Sequence, residues 1–331
     1  MVVNALWFLA GLAVLIAGAE VMVRGGAVVA ARLGISPIII GLTVVSIGTS
    51  MPELAVGVVS AADGSGALAV GNIAGTNVVN ILLILGLSAL LVPLALQLRT
   101  NRLELPMMAA AALLFWALAA DGRLSRLDGA ILVTAAVGYT AAVIWSARRE
   151  SRSVAEEFAA EVATEYSTGP IPVEVEARRS TMIHVGMTVG GIIVVVIGAD
   201  WLVDGAVGMA RQFGVSDALI GLTVVAIGTS APELVTTVMT TIRGDRDIAI
   251  GNLIGSSIYN ILLILGVTCL VPAQGLELPS SLVTIDIPIM VGVALLCIPI
   301  FMTGRRVSRL EGGLMVSAYA GYLTFLLITQ T

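Results

Sequence analysis

"GLTVVSIGTSMPELAVG" occupies residues 41–57, and "GLTVVAIGTSAPELVTT" occupies residues 221–237. Over their first fourteen positions the copies differ only at Ser46/Ala226 and Met51/Ala231. Each sets glycine, hydroxyl side chains, a proline and a carboxylate in the middle of a long apolar stretch. Pro52 and Pro232 lack the amide donor a helix needs and crowd the preceding turn. Gly48 and Gly228 lower the cost of irregular backbone. The two stretches are therefore expected to be broken helices, with carbonyls released where the helix unwinds. Backbone of that kind is tolerated at membrane depth only where it lines a cavity.

The surrounding composition makes the membrane the right frame. The 331 residues are 58% hydrophobic and only 12% charged, about half the charged share of a soluble domain, and the mean hydropathy is +1.03. Several apolar runs reach the roughly 20 residues that cross a bilayer. The first, "MVVNALWFLAGLAVLIAGAEVMV", lacks the basic flank of a signal peptide and is too long for one, so it is expected to be a spanning helix. Net charge is −5, and all 17 basic residues are arginine. No nucleic-acid patch is visible. Cys269 and Cys297 lie in apolar segments without metal spacing and read as small core residues. His184 stands at the start of an apolar run, which suits an interfacial role.

Apolar runs predict ten spans, at about 4–31, 36–61, 66–92, 103–120, 127–147, 181–210, 217–242, 247–271, 282–302 and 309–328. The one substantial polar segment, 148–180, reads as a cytoplasmic linker that is partly helical up to Tyr166. "GNIAGTNVVNILLILG" (71–86) recurs as "GNLIGSSIYNILLILG" (251–266), and "SRLDG" (125–129) as "SRLEG" (308–312). These repeats divide the chain into a first five-helix repeat (1–147), the linker, and a second five-helix repeat (181–331). Five is odd, so the second repeat enters the membrane from the opposite side. Inverted repeats of this kind mark many secondary transporters. The expected fold is an all-α polytopic membrane protein of ten transmembrane helices in two inverted five-helix repeats, broken at the midplane. With both termini outside, thirteen arginines fall in cytoplasmic loops and three in outer ones, as the positive-inside rule requires.

A carboxylate near the centre of a spanning helix costs about 2.5–3.5 kcal/mol on insertion scales, so Glu53 and Glu233 demand a function or a partner. Ser46, Thr49, Ser50 and Glu53 are spaced to share one helix face. Thr229, Ser230 and Glu233 repeat the pattern, with Ala226 in place of the first hydroxyl. Asn72, Thr76 and Asn80 form a stripe in the next span, and Asn252, Ser256 and Asn260 match it. All of these offer oxygen, none a thiolate or imidazole, which is chemistry for Ca²⁺ or Na⁺ and not for zinc or copper. Gly41, Gly71, Gly75, Gly251 and Gly255 fit either close helix packing or backbone ligation. Glu20 and Arg24 stand at i, i+4 and are expected to pair, whereas their counterparts Asp200 and Asp204 have no local cation.

"GTSMPEL" with "GNIAGTNVVN", and "GTSAPEL" with "GNLIGSSIYN", resemble the two α-repeats of the Ca²⁺/cation antiporter superfamily, specifically the prokaryotic sodium/calcium exchangers. The resemblance covers the whole chain. It implies that Glu53 and Glu233 bind Ca²⁺ and share Na⁺ sites, with oxygens from Thr49, Ser50, Thr229 and Ser230 and the carbonyls of Ser46 and Ala226. Thr76, Asn80, Ser256 and Asn260 would complete the central and flanking sites. It further implies that the first and sixth spans slide across the others. Relatives of known structure, and the potassium-dependent branch, carry Asp where Asn260 stands, and that departure counts against potassium dependence.

The expected function is therefore Na⁺/Ca²⁺ antiport by alternating access, in the inner membrane of a prokaryote. No cofactor and no obligatory protein partner is expected; the partners are the transported ions and the lipid bilayer. A Ca²⁺/H⁺ or other divalent antiporter on the same scaffold is the alternative. A membrane enzyme lacks support, because there is no HExxH and no Ser/His constellation. A passive channel fits an inverted repeat with midplane acids less well than alternating access does.

Overall fold

The structure is a computed structural model that describes residues 1–33, 37–95, 103–149, 175–213, 226–302 and 306–330. Most of the linker and the first five residues of the second motif, Gly221 to Val225, lie outside the described residues. Helix α1 (Val2–Leu33) is followed by α2, a limb built of Pro37–Ile40, Gly41–Val45 and Ser46–Thr49, and by α3 (Met51–Ala62). Next come α4 (Gly66–Leu91), α5 (Leu105–Ala119) and α6 (Arg126–Arg149). The second half begins with α7 (Val175–Gln212), the short α8 (Ala226–Thr229) and α9 (Ala231–Arg243). It ends with α10 (Arg246–Leu270), α11 (Leu282–Phe301) and α12 (Arg309–Gln330). Among the described residues six helices are long and apolar enough to cross a membrane, and the bent pair α2–α3 makes a seventh.

The chain is not wholly helical. Two antiparallel two-residue ladders join the halves: β1 (Leu94–Ala95) pairs with β4 (Arg306–Val307), and β2 (Arg123–Leu124) with β3 (Leu276–Glu277). They arise where helix ends of the two halves converge, a tertiary circumstance that no local pattern announces.

Helices α4 and α10 are the most enclosed, and these are the helices that carry the asparagine stripes. Polar side chains in a spanning helix must face protein, so burial of the stripes selects the central position. The packing crosses between halves. Helix α6 lies on α10, and α12 lies on α4. Glycines allow both contacts: a Cβ on Gly129 would sit 2.7 Å from the Gly266 carbonyl, and one on Gly86 would sit 3.0 Å from that of Gly312.

Helices α1 and α7 form a separate antiparallel pair along nearly their whole length. Gly18 meets Val195, Gly191 meets Met22, Gly198 meets Leu15 and Gly205 meets Phe8, each so closely that a side chain would clash. Trp7 and Trp201 stack edge to face at 5.2 Å. Small residues in register let two backbones approach and gain van der Waals contact where lipid offers no hydrophobic drive.

Candidate functional site

Each proline breaks its helix at the residue two before it. Ser50 has φ −84° and ψ 11°, and Ser230 has φ −84° and ψ 4°, so neither continues a helix. Limb α2 and helix α3 meet at 49°. The expected unwound stretch is in fact a bend at a single residue, because a proline in the first turn of a new helix needs no amide donor there and its fixed φ suits that position. Around this bend the helices carry π-type turns, at Gly41–Val45, Val79–Leu85 and Asn260–Leu265. Such bulges displace a residue from the regular ladder and recur at functional sites. Asn80 and Asn260 both stand in them.

The bends bring the two motifs together. Ser46, Thr49, Ser50, Glu53, Asn80, Glu233, Ser256 and Asn260 are all fully buried, and Thr76, Thr229 and Ser230 nearly so. The Ser50 hydroxyl donates to Glu233 Oε1 at 3.1 Å, across the two halves. The hydroxyls of Thr49 and Ser256 also face the Glu233 carboxylate. Glu53 and Glu233 are close enough for their charges to act on one another. The Ser46 hydroxyl donates to the Gly41 carbonyl at 2.5 Å and to that of Asn252 at 3.0 Å. The Ser46 carbonyl lies 3.5 Å from the Ser256 hydroxyl. For Ala226, only its place at the start of α8 is described.

The unsatisfied atoms define what the pocket is for. Both oxygens of Glu53, Glu233 Oε2, Thr76 Oγ1 and the whole side-chain amides of Asn80 and Asn260 are buried without a hydrogen-bond partner. Buried polar atoms are normally paired, and each exception calls for an explanation. Here the exceptions include both motif carboxylates and both stripe asparagines. Among the described residues neither acid has an ion-pair partner of its own. Two anions surrounded by hydroxyl and amide oxygens suit a hard cation.

One contributor, Thr237, went unrecognised in the sequence, and it meets the stripe residue Asn252. Asn252 accepts from Thr49 Oγ1 at 3.2 Å and donates to Thr237 Oγ1 at 3.2 Å. Thr237 belongs to a run of four buried threonines on α9: Thr236, Thr237, Thr240 and Thr241. The clue was present in "TTVMTT", where the first copy has Val56, Gly57, Ser60 and Ala61. The glycines divide. A Cβ on Gly41 would lie 2.8 Å from the Ile248 carbonyl, and one on Gly255 would lie 2.7 Å from that of Leu42, so these two serve close packing of α2 on α10. Gly75 has nothing within 4 Å. Cys269 and Cys297 are buried core thiols, as expected.

With this geometry in hand, known proteins supply a context. The chain matches the family described as "sodium/calcium exchanger protein" over residues 3–145 and 183–328. It is 35% identical to the putative antiporter CaxA of Alkalimonas amylolytica, over 82% of each chain. It is 38% identical to the sodium/calcium exchanger MaX1 of Methanosarcina acetivorans over 40% of this chain and 37% of that one. The fold is similar to that of a solved sodium/calcium exchanger from Methanococcus jannaschii, with a TM-score of 0.80 and 26% identity over 98% of this chain and 99% of that one. These relatives are helical polytopic membrane proteins and transporters, not enzymes.

Proposed function

The chain belongs to the sodium/calcium exchanger family of cation antiporters, and from that premise we propose that it exchanges Na⁺ for Ca²⁺ by alternating access. Exchangers of this family work without a cofactor, and the ions are their cargo. The observation that carries the proposal is the pairing of Glu53 with Glu233, both fully buried, with the hydroxyls of Thr49, Ser50 and Ser256 facing Glu233. Two carboxylates neutralise one Ca²⁺, and neutral oxygens complete its shell. Thr49, Ser50, Thr229 and Ser230, the amides of Asn80 and Asn260, the hydroxyls of Thr76 and Ser256, and the carbonyls of Ser46 and Ala226 are the proposed ligands.

The reading includes ten spans in two inverted repeats, 1–147 and 181–331, with 148–180 and the arginine-rich loops in the cytoplasm. Support comes from the antiparallel run of α1 and α7, the first helix of each half, and from the crossed packing of α6 and α12. Both termini then lie outside. The test is ⁴⁵Ca²⁺ uptake into proteoliposomes holding the pure protein. An outward Na⁺ gradient should drive uptake that collapses with the gradient. Uptake driven by a proton gradient in the absence of Na⁺ would instead identify a Ca²⁺/H⁺ antiporter.

A further inference from the structure

We infer that Glu20 and Arg243 are positioning residues whose ion pair holds the α1–α7 helix pair against α9, latching one end of the molecule, whereas the equivalent positions Asp63, Asp200 and Asp204 form no such pair among the described residues. The inference rests on the exchange reading above for its two faces.

Three observations carry it. First, Glu20 on α1 pairs with Arg24 one turn on and also with Arg243, the last residue of α9. Helix α9 begins at the bend that presents Glu233. The pair therefore spans from the α1–α7 unit to a helix of the cation site. Second, the sequence repeat places Asp200, Asp204 and Asp63 at the positions equivalent to Glu20, Arg24 and Arg243, each 180 residues apart. Both cations have become acids. Among the described residues, Asp63, Asp200 and Asp204 have no ion-pair partner. Third, the packing has the same asymmetry. Helix α1 lies along α9, whereas α7 makes no comparable contact with α3, the equivalent pairing. Among the described residues one end is tied by this pair, and the equivalent positions of the other half carry only carboxylates.

The tie acts on a body able to move as a unit. Helices α1 and α7 interlock through backbone contacts that tolerate no slippage, such as Gly191 on Met22 and Gly198 on Leu15. Their contacts with the remaining helices are far fewer. A polar tie at one end of such a body biases which end opens, and a ligand shifts an equilibrium only by its differential interaction with the two states. Breaking a partly exposed ion pair of this kind shifts an equilibrium by about three- to fivefold.

Two measurements test this. In right-side-out and inside-out membrane vesicles, the half-saturating Ca²⁺ of Na⁺-dependent ⁴⁵Ca²⁺ flux is read at each face. Glu20→Gln and Arg243→Gln should each tighten it at the cytoplasmic face and weaken it at the outer face, changing the ratio about three- to fivefold. The double variant should move it no further than either single one, and Arg243→Lys should keep the wild-type ratio. The second measurement needs no transport. Thr240 is buried one turn before Arg243 on the same face of α9. Labelling of Thr240→Cys by an impermeant maleimide should speed up about three- to fivefold when Glu20→Gln is added, the native thiols being buried. An unchanged face ratio, equal weakening at both faces, additive single effects or unchanged labelling would overturn the latch. Absence of Na⁺-dependent flux in wild-type vesicles would instead refute the exchange reading, with the labelling result still deciding the latch.

Discussion

Replacing Glu53 by glutamine is expected to abolish Ca²⁺ binding and yet stabilise the ion-free protein. Glutamine keeps the shape of the side chain and one oxygen, and replaces the charge and the second oxygen by a neutral amide NH₂. Both Glu53 oxygens are buried without a hydrogen-bond partner, so no network collapses with the change. With Ca²⁺ bound, the lost term is electrostatic. At an effective dielectric of about 20, two unit charges about 4 Å apart interact by about 4 kcal/mol. A divalent cation forfeits at least that much, or about three decades of affinity. Without ions the sign reverses, because Glu53 and Glu233 act on each other as like charges and one buried unpaired carboxylate is gone. The assay is thermal unfolding of purified protein, with and without Ca²⁺, beside equilibrium ⁴⁵Ca²⁺ binding. At a Ca²⁺ concentration near 100 Kd, wild type should gain about 2.7 kcal/mol and Glu53→Gln almost nothing. Glu104→Gln is the control. That carboxylate is equally buried and accepts from the Tyr139 hydroxyl at 2.9 Å, so its loss should leave the Ca²⁺ response intact. A Ca²⁺-induced gain in Glu53→Gln equal to that of wild type would refute the reasoning.

Gly255→Ala should destabilise by about 1–3 kcal/mol through overpacking, since its Cβ would meet the Leu42 carbonyl at 2.7 Å; Gly75→Ala, with nothing within 4 Å, should instead gain about 0.5–1 kcal/mol from helix propensity, and thermal melting distinguishes them. Thr237→Val leaves Asn252 Nδ2 without its acceptor, which costs about 1–3 kcal/mol; ion-dependent melting should show a lower midpoint and weaker Na⁺ stabilisation, with Thr237→Ser restoring both. A reporter inserted at Gly169 should behave as cytoplasmic and one fused after Thr331 as external, and the opposite pattern would refute the inverted topology.

The parts of the fold legible in the sequence were those set by local chemistry and repetition. Pro52 and Pro232 announced the breaks because proline lacks the amide donor and crowds the preceding turn, and the i, i+4 spacing of Glu20 and Arg24 announced their pair. The asparagine stripes announced the two central helices, since Asn80 and Asn260 could only face protein. Features made by tertiary contact stayed hidden. Nothing local to Arg243 reveals that it reaches Glu20, more than two hundred residues away in sequence. Spacing alone could not say that Gly41 and Gly255 admit a neighbouring backbone while Gly75 faces open space. Asn252 looked like a stripe residue, and its place between Thr49 and Thr237 follows only from the way α2, α9 and α10 meet.

The charge of the pocket explains why two carboxylates are accompanied by so many neutral oxygens. In the proposed site, Glu53 and Glu233 supply two negative charges, and Asn80 and Asn260 supply none. One Ca²⁺ or two Na⁺ leave the pocket neutral. A third Na⁺ would leave an uncompensated positive charge in a site closed to water, where desolvation is expensive. Only dipoles can offset it: hydroxyls, amide oxygens and carbonyls turned inward. The structure concentrates such groups beside Thr49, where Ser46, Asn252 and Thr237 converge. The equivalent place in the other half is poorer, because Ala226 stands for Ser46 and Gly57 for Thr237. Near-identical motifs thus build two unequal flanks. In the proposed cycle the flank of Ser46 and Thr237 stabilises a monovalent cation more strongly than its counterpart does.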